Sequence, residues 1–120
     1  MTRTDEADLS PDQYDRLFQA LADPGRRAMI GQLSRGPASV KELASVSGMA
    51  LPSAVKHLRV LEDAGFVLSH KAGRVRTFRI EAEALDAIGR WVRDHRTALE
   101  AGFDRLADAM TAIPETEDDR

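Results

Sequence analysis

The chain of 120 residues contains no cysteine, and it has only one tryptophan, one tyrosine and four phenylalanines. Without cysteine there is no disulfide, no zinc–thiolate site and no thiol redox sensor, which suits a reducing compartment. No apolar run approaches the roughly 20 residues that a membrane helix needs. The first residues, MTRTDEADLS, are acidic and polar and do not resemble a signal peptide. These absences predict a cytoplasmic protein with no membrane partner, and the length of 120 residues predicts one domain.

Motifs of catalysis are also missing. The sequence has no glycine-rich phosphate loop, no nucleophile elbow and no set of histidines and carboxylates at a useful spacing. Its three histidines, His57, His70 and His95, fall on three different predicted elements. We therefore expect neither an enzyme, nor a bound cofactor, nor a metal centre.

The net charge of −3 conceals a division of charge along the chain. Residues 25–80 carry ten basic and three acidic side chains. Residues 1–24 carry two basic and six acidic ones, and residues 81–120 carry five basic and eleven acidic ones. A basic middle between acidic ends is expected when one face of a protein meets phosphate. The alternative, that these charges are ordinary solvated helix faces, stays open.

Capping signals divide the first part of the chain into helices. Ser10-Pro11 and Asp23-Pro24 each place a side-chain acceptor just before a proline at the first helical position. Ser39 begins a third, short helix, because Glu42 follows it at the capping-box spacing. Apolar residues recur with a helical period after each of these starts. The pattern predicts three successive helices, the third of which ends at Ser47-Gly48.

A fourth helix follows after a tight turn. It begins near Leu51-Pro52, and its inner face consists of Ala54, Leu58 and Leu61. Its outward positions are mostly polar or basic. Two short helices joined by a tight glycine-containing turn are typical of a helix-turn-helix, which we place over residues 39–64.

The hydrophobic period changes after this helix. Residues 66–80 alternate around a turn that contains Gly73, which predicts a β-hairpin. Lys71, Arg74 and Arg76 are expected at its tip and on its exposed face. The second helix of a helix-turn-helix, here the fourth helix, is called the recognition helix. A basic hairpin that directly follows it is called a wing.

The last predicted helix is long and runs from about Ala82 to Ala112. Its apolar residues follow spacings of three and four, close to the seam of a coiled coil. A helix of this length cannot pack wholly on a small head, so we predict that it pairs with the same helix of a second subunit. The alternative is a helix folded back along its own domain. Trp91 and Phe103 either line a pocket for an apolar effector or belong to the core.

Three segments resemble a known family. They are FQALADPGRRAMIGQLSRGPASVKELA (18–44), MALPSAVKHLRVLEDAGFV (49–67) and GRVRTFRI (73–80). On these residues the chain resembles the ArsR/SmtB family of bacterial repressors. The resemblance implies a winged-helix dimer whose first and last helices form the interface, and it implies repression of transcription.

The chain departs from the metal-sensing members of that family. Where those members have a Cys-x-Cys pair on the third helix, this sequence has Ala44 and Val46. Where others bind zinc on the last helix, this sequence offers Asp94 and His95 without a second histidine a few turns later. The resemblance is therefore to a branch without the metal ligands. The signal that releases DNA stays open between a small apolar ligand, a protein partner and no signal.

The predicted site has two parts. The expected DNA contacts come from the third helix, the recognition helix and the wing: Ser39, Lys41, Leu51, Ser53, Lys56, His57, Arg59, Lys71, Arg74 and Arg76. Among them, Leu51 either contacts a thymine methyl group or is buried. The expected dimer interface is apolar: Tyr14, Leu17, Phe18, Leu21, Leu85, Ile88, Val92, Leu99, Phe103, Leu106 and Met110.

We thus predict a mainly α protein with a small β-hairpin, a winged helix-turn-helix over residues 10–112. Residues 1–9 are expected to be a flexible acidic N-terminus and residues 113–120 an acidic disordered tail. The predicted function is that of a homodimeric repressor on a palindromic operator, with helix 52–64 in the major groove and wing 70–76 on the backbone or minor groove. A winged-helix module for protein–protein contact and an activator with the same DNA grip are the alternatives.

Overall fold

The computed structural model describes residues 9–112, which form five helices and a three-stranded antiparallel sheet. In chain order the elements are α1 (Pro11–Ala20), α2 (Pro24–Leu33), β1 (Ala38–Ser39), α3 (Val40–Ser47), α4 (Leu51–Asp63), β2 (Val67–Ala72), β3 (Val75–Ile80) and α5 (Ala82–Ala112). This is the predicted winged helix-turn-helix. The predicted flexible N-terminus, apart from residue 9, and the predicted disordered tail lie outside the described residues.

Side-chain caps fix where the first three helices begin. The Ser10 hydroxyl accepts from the Gln13 backbone N–H at 3.2 Å, and the Gln13 side chain accepts from the Ser10 N–H at 2.8 Å. Ser39 and Glu42 form the same reciprocal box at the start of α3. At the start of α2, Asp23 Oδ2 accepts from a backbone N–H of the first turn. Because each cap satisfies amide groups that a helix end leaves unpaired, the helices begin where the sequence predicts.

The wing is a tight hairpin. Strands β2 and β3 are joined by the two residues Gly73 and Arg74, and Gly73 has a φ of 63°. A positive φ at the first loop residue alone is typical of a type II′ turn, which matches the twist of paired strands. The strands extend further towards the turn than predicted, so Lys71 lies within β2, directly opposite Arg76.

A third strand was not predicted. The two residues of β1 pair with β3, with Ala38 opposite Phe78 and Ser39 opposite Thr77. Two residues are too few to show an alternating pattern, so only the folded structure reveals this strand. Its consequence is that the beginning of α3 is fixed directly to the wing.

Contacts divide the chain between Ile88 and Gly89 into two units. We call residues 9–88 the head and residues 89–112 the C-terminal segment. Every buried hydrophobic side chain of the described chain belongs to the head, and the largest fully buried ones are Phe66, Met29, Leu43, Leu58, Leu61 and Val67. None of the helices in residues 9–112 is long and apolar enough to cross a membrane.

One predicted interface residue belongs to this core. Leu17 is only 3% exposed and lies in the same cluster as Ala20, Met29 and Leu33. Its assignment to the dimer interface is therefore wrong, because its surface is already used inside one chain. The period that placed it beside Tyr14 is correct, but period alone does not show whether a stripe faces its own core or a partner.

Candidate nucleic-acid interface

Helix α4 has one buried side and one exposed side. Ala54, Leu58 and Leu61 are at most 1% exposed. Because about 3.6 residues make one turn, Lys56 lies on the side opposite these three, and Arg59 lies next to it one turn later. Both cationic side chains are exposed, as predicted. Packing of the apolar side thus presents two positive charges on a rigid helix.

The first turns of α4 also expose apolar groups. Leu51 is 44% exposed, so the alternative that it is buried is wrong. Val55, which was not predicted as a site residue, is 43% exposed. It stands four residues from both Leu51 and Arg59, so the helical spacing could have predicted that Val55 is exposed with them. Ser53 is exposed on the other flank of α4, one turn before Lys56. The outer side of α4 therefore combines cations with methyl groups, both of which can read base edges in the major groove.

His57 does not point outward as the sequence suggested. Its side chain is 24% exposed, and its Nε2 lies 3.7 Å from Oδ2 of Asp23. The hydrogen bond from the Arg26 backbone N–H lowers the pKa of Asp23, partial burial opposes this, and the charges of His57 and Arg26 lower it further. His57 thus faces α2, at the edge of the outer surface of α4.

The wing places its cations in two positions. Arg74 is exposed in the turn itself. Lys71 and Arg76, opposite each other across β2 and β3, project from the same face of the hairpin. Arg76 Nη1 donates to Ser69 Oγ at 2.8 Å, and Ser69 Oγ donates to Glu62 Oε2 at 2.8 Å. This chain of hydrogen bonds connects the wing to α4.

Two side chains of this connection, Ser69 and Glu62, were missed by the sequence analysis. No local signal links them, because they meet only through the pairing of β2 with β3 and the packing of the hairpin on α4. Glu62 also lines a cleft with a volume of about 510 Å³, together with Val55, Arg59 and Phe78.

The third helix contributes one exposed cation. Lys41 is exposed on α3, as predicted. Ser39 is half-buried, and its hydroxyl oxygen accepts the hydrogen bond of the helix cap. Ser39 is therefore first a structural residue, placed at the edge of the interface by β1.

The expected dimer residues are exposed to different degrees. In the head, the rings of Tyr14 and Phe18 stack with their centroids 6.4 Å apart, and both residues are half-buried. Leu21 and Ile88 are also half-buried, and Leu85 is 38% exposed. The predicted residues of the C-terminal segment are more exposed, between 50% and 61%: Val92, Leu99, Phe103, Leu106 and Met110.

On the last helix, His95 contacts a residue of its own helix. His95 Nδ1 lies 2.8 Å from the Trp91 carbonyl oxygen, and the two rings stack at 3.9 Å. Within residues 9–112, no three histidines and carboxylates come together as a group able to hold a metal ion.

Comparison with known proteins identifies similar chains. A profile described as a helix-turn-helix domain matches residues 21–70. The HTH-type transcriptional regulator Rv2034 of Mycobacterium tuberculosis is 35% identical over 95 residues, which cover 79% of this chain and 89% of the relative.

Two solved structures are similar in fold and sequence. The crystal structure of the ArsR family transcriptional regulator RHA00566 is 51% identical with a TM-score of 0.71, over 77% of this chain and 95% of the other. The solution structure of the homodimeric winged helix-turn-helix DNA-binding domain Mb0332 from Mycobacterium bovis is 31% identical with a TM-score of 0.59, over 72% and 82%.

Proposed function

We propose a function for this chain, which belongs to the ArsR family of winged helix-turn-helix transcriptional regulators and binds DNA. It acts as a homodimeric repressor on a palindromic operator. The observation that carries the proposal is the exposed, cationic outer side of α4 with the basic wing beside it. Repression is what membership of the family implies.

Base recognition is assigned to α4. Lys56 is centred on the exposed side, and either it or Arg59 can donate to the acceptors of a guanine in the major groove. Leu51 and Val55 can contact the methyl group of thymine, since both are exposed beside the cations. Ser53 can donate to or accept from either base pair. A good bidentate contact contributes about 1–3 kcal/mol of discrimination against the wrong base.

Affinity is assigned to side chains around α4. Lys41 on α3 and Lys71, Arg74 and Arg76 on the wing are exposed cations that can neutralise phosphates. Contacts of this kind hold the protein in register on the duplex and carry no sequence information of their own. They also release counterions, so binding should weaken steeply as salt is added.

The second subunit is assigned to the apolar face of the C-terminal segment. Val92, Leu99 and Leu106 recur every seven residues, and Phe103 and Met110 recur every seven residues beside them, all at least half exposed. A contiguous apolar face of this kind costs free energy in water and is typical of an interface. The heptad repeat matches a second copy of the same helix. In the head, the half-buried Tyr14, Phe18, Leu21 and Ile88 and the exposed Leu85 are proposed to contact the second subunit as well.

A two-fold dimer predicts the shape of its DNA site. Two identical recognition helices read two identical half-sites in opposite orientation, about one helical turn apart or a multiple of it. Selection of duplexes from a randomised library by the purified chain should therefore enrich an inverted repeat. Enrichment of a single half-site, or of direct repeats, would contradict the two-fold assembly.

Repression has its own test. Transcription in vitro from a promoter that carries the selected site should fall when the protein is added, because the bound dimer blocks polymerase. A rise in transcription at saturating protein would identify an activator instead.

A further inference from the structure

We infer that His57 is a positioning residue: it holds the recognition helix against the start of α2 through Asp23, and it does not read bases. The inference rests on the proposed use of α4 for DNA recognition. It concerns a contact inside the head, between Asp23, Gly25, Met49 and His57, which we call the α2–α4 contact.

The first observation is the geometry of the pair formed by His57 and Asp23. His57 Nε2 and Asp23 Oδ2 are 3.7 Å apart, which is an ion-pair distance and too long for a hydrogen bond. The side chains are 24% and 35% exposed, so both are half-buried. The same oxygen, Asp23 Oδ2, accepts from the Arg26 N–H at 3.0 Å. One carboxylate therefore caps α2 and faces the middle of α4.

The second observation is the glycine between them. A Cβ at Gly25 would lie 3.1 Å from His57 Nε2, 3.0 Å from Asp23 Oδ2 and 3.3 Å from Met49 Cε. At these distances the neighbouring atoms must give by a few tenths of an ångström, so a Cβ at this position would press directly on the imidazole. The backbone of α2 approaches α4 closely because position 25 has no side chain.

The position of His57 in α4 determines which side chains the contact affects. It follows Lys56 directly and stands two residues before Arg59, so a rotation or shift of the helix at His57 moves both cations. Groups that recognise base edges must be held within about half an ångström of their productive positions. The α2–α4 contact thus determines how accurately Lys56 and Arg59 meet the groove, while the imidazole itself faces away from it.

A double-mutant cycle separates positioning from base reading. Asp23→Ser keeps a side-chain cap of similar strength but removes the carboxylate from His57. If His57 acts through Asp23, Asp23→Ser and His57→Ala should each weaken binding to a library-selected duplex about threefold to tenfold. The double variant should then be no weaker than the weaker single variant. Additive losses, or a silent Asp23→Ser, would overturn the inference.

A conservative variant adds a second readout. His57→Gln keeps an N–H group of similar reach towards Asp23, so it should retain most of the affinity and the same base preference. A residue that reads bases would change the preferred sequence when imidazole is replaced by an amide. A changed preference in His57→Gln would therefore also overturn the inference.

The glycine offers a matched pair of variants on one helix. Gly31 also lies in α2, and a Cβ there would meet nothing within 4 Å. Gly25→Ala should weaken binding to the selected duplex about threefold to tenfold, whereas Gly31→Ala should leave it unchanged. Equal affinities of the two variants would contradict the role of the α2–α4 contact.

A measurement without DNA distinguishes failure of this inference from failure of the proposed function. In the DNA-free protein, amide NMR shifts of residues 56–59 should change in Asp23→Ser and Gly25→Ala and not in Gly31→Ala. Unchanged shifts would overturn the positioning role even if DNA binds normally. Wild-type protein that enriches no duplex, with the expected NMR changes present, would instead count against the proposed function alone.

Discussion

The head and the C-terminal segment solve the problem of burying apolar surface in different ways. The head buries sixteen hydrophobic residues, all of them within one chain. Residues 89–112 contribute none to that set, and five side chains on one face of this segment are at least half exposed. The head therefore has its own core, whereas the segment would gain one in the proposed dimer.

The head and the C-terminal segment also differ in their balance of charge. Residues 25–80 of the head carry ten basic and three acidic side chains, whereas residues 89–112 carry four of each sign. In the proposed function, the region with excess positive charge binds phosphate, and the region with balanced charge pairs with its copy. Identical helices cannot attract each other through a net charge, so apolar contact is the proposed driving force of their pairing.

The largest effect is expected from a charge in the middle of the apolar face of the segment. Phe103→Glu places two carboxylates in the proposed interface and should dissociate the dimer. Loss of bivalent binding should then weaken affinity for an inverted repeat by about a hundredfold or more. Sedimentation gives the oligomeric state and fluorescence anisotropy gives the affinity. Arg105→Glu, at an exposed polar position of the segment, is the control and should remain dimeric.

The next largest effect compares the two regions directly. Leu58 in the head is 1% exposed, and Leu58→Ala should lower the free energy of unfolding by about 2–5 kcal/mol at any protein concentration. Leu99 in the segment is 57% exposed, so the loss caused by Leu99→Ala should shrink as the protein is diluted and the dimer dissociates. Urea unfolding over a range of concentrations tests both. The same concentration dependence for the two variants would erase the distinction between the regions.

A smaller effect distinguishes two kinds of cation within the head. Lys56→Ala should cost about 1–3 kcal/mol per half-site on the selected duplex and relax the preference for one base pair in each half-site. Arg74→Ala removes one phosphate contact from each subunit, so it should weaken binding to selected and random DNA alike and should reduce the salt slope of the dimer by about two. Titrations of both duplexes at several salt concentrations separate the two results. Equal losses on selected and random DNA for Lys56→Ala would refute its role in base reading.

The smallest effect concerns how the free energy of unfolding changes at acidic pH. The folded-state pKa of Asp23 lies below its ordinary value of 3.8, mainly because of the hydrogen bond from the Arg26 N–H. The carboxylate therefore stabilises the head fully above that value, and its contribution disappears as the pH falls through the lowered pKa. The difference in unfolding free energy between the wild type and Asp23→Ser should thus shrink in acid. A constant difference across the acid range would contradict this.

Local signals predicted most of the fold. Caps at Ser10, Asp23 and Ser39, each followed by an apolar helical period, gave the starts of the first three helices, and Gly73 gave the turn of the wing. These features were readable because the interacting residues are close in sequence. The strand β1 was not readable, because two residues carry no period and its partner Phe78 is distant in the chain.

Less of the candidate DNA-binding site could be predicted from local sequence signals. Exposure of Lys56 and Arg59 followed from the helical period, since the buried side of α4 was evident. The orientation of the His57 side chain did not follow from the helical period, because it depends on how closely α2 approaches α4 at Gly25. The burial of Leu17 and the hydrogen bonds of Arg76 likewise depend on packing between elements that are distant in sequence.

The most direct test of the account is the stoichiometry of the complex with a selected duplex. Sedimentation at equilibrium should give two chains per duplex, with the duplex an inverted repeat and the affinity falling when one half-site is scrambled. One chain bound per duplex, with affinity unchanged by scrambling a half-site, would contradict the claim that a self-contained head reads DNA while the segment pairs two copies.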